Sequence, residues 1–176
     1  MTRIIAGEWR GHPLPKLKTG SVRPTTDRAR TILFDTLRDV RDMSVLDLYS
    51  GTGALGFEAL SRGATSLVSI DRESKYIAAQ KTWIEGRDKS FQAYIGDVKA
   101  ILKRIDRKFD LILADPPYAE ALSEEMIALI ESHVSDDSLF VYESARRGET
   151  IFDSEVFDLI KEKVVAETKI QIYKVH

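Results

Sequence analysis

From Ser44 onward the chain alternates between short apolar runs, typical of buried strands, and longer segments with helical periodicity. The predicted strands are Val45 to Tyr49, Leu67 to Ile70, Phe91 to Ile95, Phe109 to Ala114 and Ser138 to Glu143. The predicted helices between them are about Ala54 to Arg62, Glu73 to Gly86, Val98 to Arg104 and Ala121 to His133. This repetition predicts an α/β fold with a parallel, doubly wound sheet, which binds ligands at the carboxyl ends of its strands.

The carboxyl-terminal part of the chain departs from this alternation. Val156 to Val164 and Thr168 to Val175 have the pattern of two strands joined by a tight connection at Ala166-Glu167. Two successive strands with so short a connection must run antiparallel. We therefore expect an antiparallel hairpin that closes the parallel sheet.

A basic segment precedes the alternating part. Arg3 to Ala6 and Leu14 to Leu17 flank a turn, which predicts a short N-terminal hairpin with Trp9 and Arg10 near its tip. Thr25 or Thr26 can then cap a helix. We predict that residues 1–41 form a hairpin and helix extension on a core of residues 42–176, within one compact domain.

Composition narrows the class of protein further. The chain has 176 residues, of which 43% are hydrophobic, so it can bury the core of one domain. It contains no cysteine, and its three histidines are scattered, so we expect no metal site. Its longest apolar runs are too short to span a bilayer, and Met1 to Gly11 lacks the apolar core of a signal peptide. These features favour a cytoplasmic protein.

Charge is distributed unevenly along the chain. Residues 1–41 contain nine Lys or Arg and four Asp or Glu, a net charge of +5, which leaves −7 for the rest of a chain whose net charge is −2. A basic segment on an acidic body is compatible with contacts to phosphate groups of a nucleic acid. An ordinary solvated charged segment would have the same composition.

A glycine-rich motif follows the first predicted strand. Residues 51–56 read Gly-Thr-Gly-Ala-Leu-Gly, formally the dinucleotide fingerprint, and Asp71 lies twenty residues after Gly51. Glycines allow the backbone to approach a ligand, and an acid after the second strand can bind a ribose. Taken alone the motif indicates NAD, but any ligand with an adenosine ribose fits the same geometry.

Acidic residues at the strand ends favour S-adenosylmethionine over NAD. Asp47, Asp71, Asp97 and Asp115 each belong to one of the first four strand ends, and parallel strands bring these ends to one edge. An acidic crevice attracts the ammonium and sulfonium of S-adenosylmethionine and repels the two phosphates of NAD. Any one of these aspartates could instead serve only as a cap or turn residue.

The tetrapeptide Asp115-Pro116-Pro117-Tyr118 follows the apolar strand that ends at Ala114. Proline lacks an N–H, and an ionised carboxylate only accepts hydrogen bonds, so this segment suits the amino group of a nucleobase. Tyr118 offers a ring on which a base can stack. A strand that turns sharply at a proline pair, with Tyr118 covering the core, is the structural alternative.

Together these segments resemble the bacterial 16S ribosomal RNA guanine-N2 methyltransferases. The matching segments are Arg3 to Gly11, Arg23 to Arg30 with Leu33-Phe34, Val45 to Gly56, Glu58 to Ala64 and Asp115 to Tyr118. The resemblance implies a Rossmann-like class I methyltransferase fold with a mostly parallel seven-stranded sheet. It also implies S-adenosylmethionine as methyl donor, with S-adenosylhomocysteine as product, and one guanine of 16S rRNA as acceptor.

Site residues follow from the resemblance by position. Asp115, Pro116, Pro117 and Tyr118 would hold the guanine. The residues expected at the cofactor are Asp47, Gly51, Gly53, Asp71, Asp97, Val98, Thr26 and Arg28. Those expected at the RNA are Arg3, Trp9, Arg10, Lys16, Lys18 and Arg23. The expected partner is 16S rRNA within a partly or fully assembled 30S subunit, bound by a monomer.

Three other functions fit part of the pattern. A DNA N6-adenine methyltransferase shares Asp-Pro-Pro-Tyr but usually needs a separate target-recognition region, for which this chain has little room. An NAD-dependent oxidoreductase would explain the glycines and Asp71 but would leave Asp115 to Tyr118 without a role. A non-catalytic RNA-binding module would not need the candidate chemical residues, all of which are present.

Overall fold

Seven strands form one sheet in the part of the chain that the computed structural model describes, residues 2–15, 26–117, 122–147 and 155–175. The strands are β1 Ser44–Leu48, β2 Ser66–Asp71, β3 Ser90–Ile95, β4 Phe109–Ala114, β5 Val134–Ala145, β6 Phe157–Val165 and β7 Thr168–Val175. Their order is β3-β2-β1-β4-β5-β7-β6. Strands β1 to β5 pair in parallel, and β7 pairs antiparallel with both β5 and β6. The predicted parallel sheet with an antiparallel hairpin is confirmed.

Helices follow the first four parallel strands and precede β1. They are α1 Asp27–Leu37, α2 Ala54–Ser61, α3 Ser74–Ile84, α4 Val98–Leu102 and α5 Glu124–Glu131. Thr26 is the N-cap of α1, as predicted, and its Oγ1 accepts a hydrogen bond from the backbone N–H of Ala29 at 3.1 Å. None of the helices in the described ranges has the length and apolarity to cross a membrane.

Most predicted element bounds agree with the structure to within one or two residues. The largest difference in a strand is at β5, which begins at Val134 instead of Ser138. Its register against β4 shifts between Phe109 and Leu111, and this irregularity lets the strand extend past the polar residues 135–138. Helix α5 begins at Glu124, later than predicted, while residue 121 lies outside the described part of the chain.

The sheet buries both of its faces. One face packs against α1 and α2 and carries Val45, Leu111 and Leu113, whereas the other packs against α4 and α5 and carries Leu46 and Ile112. Every residue of β2 is buried, and four of the five in β1 are. Strands buried on both faces are mostly apolar, which explains why they were recognisable in the sequence.

The N-terminal segment, which we define as residues 2–15, folds back on itself beside α2. A single antiparallel bridge joins Arg3 to Pro13, and the N–H of Ile4 donates to the carbonyl of His12 at 3.0 Å. The predicted hairpin is therefore present as one bridge around a turn, without two full strands in these residues. Pro13 lacks an N–H, which limits the pairing.

Candidate active site

The carboxyl ends of β1 and β4 define a crevice at the centre of the sheet. The chain leaves β1 towards β2 and β3 on one side, and β4 leads to β5 on the other. This reversal of strand order is the point at which open α/β sheets bind their ligands. Asp47, Asp71, Asp97 and Asp115 all lie at this edge, as the sequence predicted.

The loop between β1 and α2, residues 49–53, is held in an unusual backbone conformation, and we call it the glycine loop. Gly51 and Gly53 have φ of +52° and +80°, in the left-handed region that glycine adopts without strain. Oδ2 of Asp71 accepts a hydrogen bond from the N–H of Gly51 at 2.7 Å, and its Oδ1 accepts one from the N–H of Glu73 at 2.8 Å. Asp71 therefore orders the loop from the neighbouring strand.

Gln80 on α3 also holds the glycine loop, although the sequence did not indicate it. Its Nε2 donates to Oγ of Ser50 at 2.9 Å and to the carbonyl of Gly51 at 2.8 Å. Its Oε1 is buried and has no hydrogen-bond partner among the described residues. Only the polar character of Gln80 on an otherwise buried helix face could have drawn attention to it.

Asp47 lies beneath the glycine loop, with 1% of its surface exposed. Its Oδ2 accepts a hydrogen bond from the N–H of Gly56 at 3.0 Å. A Cβ on Gly56 would lie 2.9 Å from this oxygen, so only glycine allows the contact. Burial raises the pKa of Asp47 to about 8, the charges of Asp115 and Asp71 add to the rise, and the Gly56 N–H opposes it.

Asp97 and Val98 lie where β3 leads into α4. Oδ1 of Asp97 accepts a hydrogen bond from the N–H of Ala100 at 3.1 Å and caps α4, while Val98 is buried. Just before them Tyr94 and Ile95 are 38% and 53% exposed. An acid beside exposed apolar side chains suits a flat heterocycle with amino hydrogens.

Asp115, Pro116 and Pro117 follow β4 at the opposite side of the crevice. Asp115 is half-buried, Pro116 is buried and Pro117 is exposed. Tyr142 on β5 pairs with Ala114, next to Asp115. Burial raises the pKa of the Tyr142 phenol, and the charge of Asp115 raises it further. The predicted ring of Tyr118 lies outside the described residues.

Helix α1 carries the two other residues predicted at the cofactor. The hydroxyl of Thr26 caps the helix, and Arg28 is exposed in its first turn. Their role at the cofactor stays a prediction.

The residues predicted to contact RNA differ in exposure. Arg3 and Arg10 are exposed, and Lys16, Lys18 and Arg23 lie outside the described residues. Trp9, by contrast, is only 5% exposed and packs against Trp83. Trp9 lies in the turn of the N-terminal hairpin, near its tip as predicted, but its indole is covered and offers no free face for stacking. Its role at the RNA stays a prediction.

Comparison with known proteins places the chain among ribosomal RNA methyltransferases and their relatives. The model of a family described as "Conserved hypothetical protein 95" matches residues 2–174. Ribosomal RNA small subunit methyltransferase D of Escherichia coli (strain K12) is 34% identical over 98% of this chain and 89% of that protein. The namesake from Haemophilus influenzae is 32% identical over 98% of this chain and 93% of that protein. The solved structure of yhhF from Escherichia coli has a TM-score of 0.87 and 29% identity, covering 99% of this chain and 98% of that one.

Proposed function

The chain belongs to the family of ribosomal RNA small subunit methyltransferase D, and we propose that it transfers a methyl group from S-adenosylmethionine to the exocyclic N2 amine of one guanine in 16S rRNA. The membership supports a methyltransferase that acts on ribosomal RNA. The donor, the base and the atom are the finer part of the proposal. They rest on the chemistry of the crevice and on the resemblance of the motifs.

The proposal that the methyl acceptor is an amino group rests on the position of Asp115-Pro116-Pro117 at the end of β4, where the strand order of the sheet reverses. Prolines supply carbonyls without N–H groups, and an ionised Asp115 accepts but cannot donate. Surroundings that only accept hydrogen bonds favour a group that has protons to donate. The exocyclic amine of guanine is such a group.

Two features of the crevice support S-adenosylmethionine as donor. Asp47 is a buried carboxylate whose pKa is raised to about 8, so a cation beside it would stabilise its ionised form. The buried Oε1 of Gln80 lacks a partner among the described residues and lies next to the glycine loop. A ligand with an ammonium and a sulfonium can place positive charge near Asp47 and donate a hydrogen bond to Oε1 of Gln80. A pyrophosphate is negatively charged and can do neither. Asp71 would hold the ribose, and Asp97 with Val98 the adenine.

The proposed reaction is a direct displacement. The cofactor supplies an electrophilic methyl group on a sulfonium and leaves as the neutral thioether S-adenosylhomocysteine. The guanine first leaves its stack, at a cost of a few kcal/mol. Its N2 lone pair then forms the N–C bond as the S–C bond breaks, and the nitrogen loses one proton to Asp115 or to water. Asp115 and the Pro116 carbonyl hold the amine in line, and such positioning supplies much of the rate.

The exposed cations of the N-terminal segment suit the phosphates of the RNA partner. Arg3 and Arg10 lie on the surface of this segment, and Lys16, Lys18 and Arg23 follow in the sequence. With so short a basic region, we expect a monomer that recognises its target in a partly or fully assembled 30S subunit. Such a substrate implies action in the cytoplasm.

One experiment tests the proposed function directly. The protein and labelled S-adenosylmethionine are incubated with unmodified 30S particles, free 16S rRNA or DNA, and the methylated nucleoside is identified by mass spectrometry. We expect N2-methylguanosine in the ribosomal RNA. N6-methyladenine in DNA would contradict the proposal and favour the DNA adenine methyltransferase. Heat-treated protein serves as the blank.

A further inference from the structure

The buried side chain of Trp9 connects the N-terminal segment to helix α3. Its ring meets that of Trp83 edge to face, with centroids 5.4 Å apart and an interplanar angle of 78°. Nε1 of Trp83 donates a hydrogen bond to the carbonyl of Pro13 at 2.7 Å, across 70 residues of chain. The guanidinium of Arg87 lies 4.0 Å from the Trp83 ring and 5.6 Å from the Trp9 ring. Two contacts therefore attach the N-terminal segment to Trp83 of α3: the ring of Trp9 and the carbonyl of Pro13.

Trp83 in turn contacts the support of the glycine loop. It stacks on Phe57 with centroids 4.4 Å apart and an interplanar angle of 25°. Phe57 packs directly on the loop, since a Cβ on Gly53 would lie 2.7 Å from Cε2 of its ring. Trp9, Trp83 and Phe57 thus form what we call the aromatic column, which runs from the N-terminal segment to Gly53.

The same helix also holds the loop by hydrogen bonds. Gln80, one turn before Trp83 on α3, donates to Ser50 and to the Gly51 carbonyl. Residues three apart on a helix share a face, so a displacement of Trp83 would displace Gln80 with it. The column and the Gln80 contacts therefore act on the same five-residue loop.

Helix α2 provides a second connection between segment and loop. It begins directly after Gly53, and all eight of its residues are buried. Near its other end, Oγ of Ser61 accepts from the N–H of Trp9 at 2.9 Å and donates to the Ala6 carbonyl at 2.6 Å. Both helices that border the glycine loop are thus attached to the N-terminal segment.

We infer that the N-terminal segment is the outer support of the glycine loop and that Trp9 and Trp83 are positioning residues for cofactor binding. Neither touches the crevice. They hold Phe57 and α3 so that the loop keeps the conformation that the cofactor needs. The inference deepens the proposed function, on which the identity of the ligand rests, and gives the segment a task besides contact with RNA.

The test is the affinity for S-adenosylhomocysteine in the absence of RNA, measured by calorimetry on the full chain. The variants are Trp9→Leu, which removes the outer ring, and Trp83→Phe, which keeps a ring on Phe57 but loses the bond to Pro13. We expect each to weaken binding by about five-fold or more. In methylation assays the KM for the cofactor should rise while kcat at saturating cofactor is kept, because no reacting group has changed.

Phe157→Leu is the matched control. Phe157 is a buried aromatic at the start of β6, the outermost strand, and packs on Phe140 and Tyr173 on the other face of the sheet from Trp9 and Phe57. It should lower the melting temperature without changing cofactor affinity. If it weakens binding as much as Trp9→Leu does, or if both tryptophan variants bind like the wild type, the inference is overturned. Failure of the wild type itself to bind would instead overturn the proposed function.

Discussion

Asp47 and Asp115 flank the crevice in different electrostatic surroundings. Asp47 is fully buried and hydrogen-bonded to the Gly56 N–H, and its pKa is raised to about 8. Asp115 is half-buried after the last residue of β4. The difference suits the two roles proposed for them: Asp47 would stabilise the cofactor side of the crevice, and Asp115 would accept a hydrogen bond from the amine of the base.

Substitution of Asp115 tests its role as an acceptor. Asp115→Ala removes the carboxylate that would hold the amine in line, so kcat should fall by roughly a hundred-fold or more, within the range typical of lost positioning or proton transfer. Cofactor affinity, measured by calorimetry, should stay near that of the wild type. Near-normal turnover in a variant that binds cofactor would show that the assignment is wrong. Asp136→Ala, an exposed aspartate in β5, is the control.

Asp47 should make stability depend on pH. In the unfolded chain an aspartate loses its proton near about pH 4. In the folded chain burial delays this loss to about pH 8, so the folded state binds more protons between these values. Stability falls with rising pH wherever the folded state binds more protons. The contribution of Asp47 to the free energy of unfolding should therefore decrease from about pH 4 to about pH 8.

The measurement compares urea unfolding of the wild type and of Asp47→Asn, both without cofactor, across this interval. Asparagine can still accept the Gly56 N–H but does not titrate. The variant should lose less stability than the wild type as the pH rises. Equal slopes for both proteins would contradict the raised pKa.

Among the elements, α2 connects the glycine loop with the N-terminal segment. Its first residue follows the glycine loop, and Glu58 in its second turn is completely buried. The carboxylate of Glu58 accepts from the N–H groups of Ile5 and Ala6 at 2.8 and 3.0 Å and from Nε of Arg62 at 2.8 Å. Burial lowers the pKa of nearby Arg30, and the charge of Glu58 is the largest opposing influence.

Glu58→Gln should therefore destabilise the protein substantially. It removes the charge opposite Arg30 and Arg62 and turns one acceptor into a donor. Breaking a buried ion pair from one side typically costs roughly 3 kcal/mol or more. Urea unfolding would measure the loss. The matched control is Glu125→Gln, an exposed carboxylate bonded to Lys99 and Lys103, for which we expect little change. Similar effects from both variants would contradict the role of burial.

Sequence patterns predicted the elements well because strands and helices of this fold are locally encoded. Phe109 to Ala114 was predicted with the same bounds that the structure shows, since a strand buried on both faces is mostly apolar, here with Asp110 as the one charged residue. The start of β5 was missed. Its residues 135–138 are polar, and only the register shift against β4 explains how they continue the strand.

At the scale of the whole molecule, RNA and cofactor should bind cooperatively. RNA contacts to the N-terminal segment would hold the support of the glycine loop in place, and a cofactor that orders the loop would do the same for the segment. We expect S-adenosylhomocysteine to tighten the binding of a 16S rRNA fragment by about five-fold or more, and RNA to tighten cofactor binding by the same factor.

Fluorescence titration of labelled RNA, with and without S-adenosylhomocysteine, would measure this factor. Trp83→Phe, which loses the bond to Pro13, should reduce it. An RNA affinity that is the same with and without cofactor in the wild type would contradict the prediction. Phe157→Leu again serves as the control, because its ring belongs to the apolar cluster on the other face of the sheet from Trp9 and Phe57.

The sequence by itself determined the alternation of elements, the glycine loop and the edge at which four aspartates meet. These features follow from local periodicity and from the geometry of parallel strands, in which each carboxyl end reaches the same edge. The burial of Trp9 and the contacts of Gln80 with the glycine loop, in contrast, became visible only in the folded structure. Each depends on partners far away in the chain: Trp9 on Ser61 across 52 residues, Gln80 on Ser50 across 30. Burial and hydrogen bonding are properties of such packed neighbours, and no local pattern specifies them.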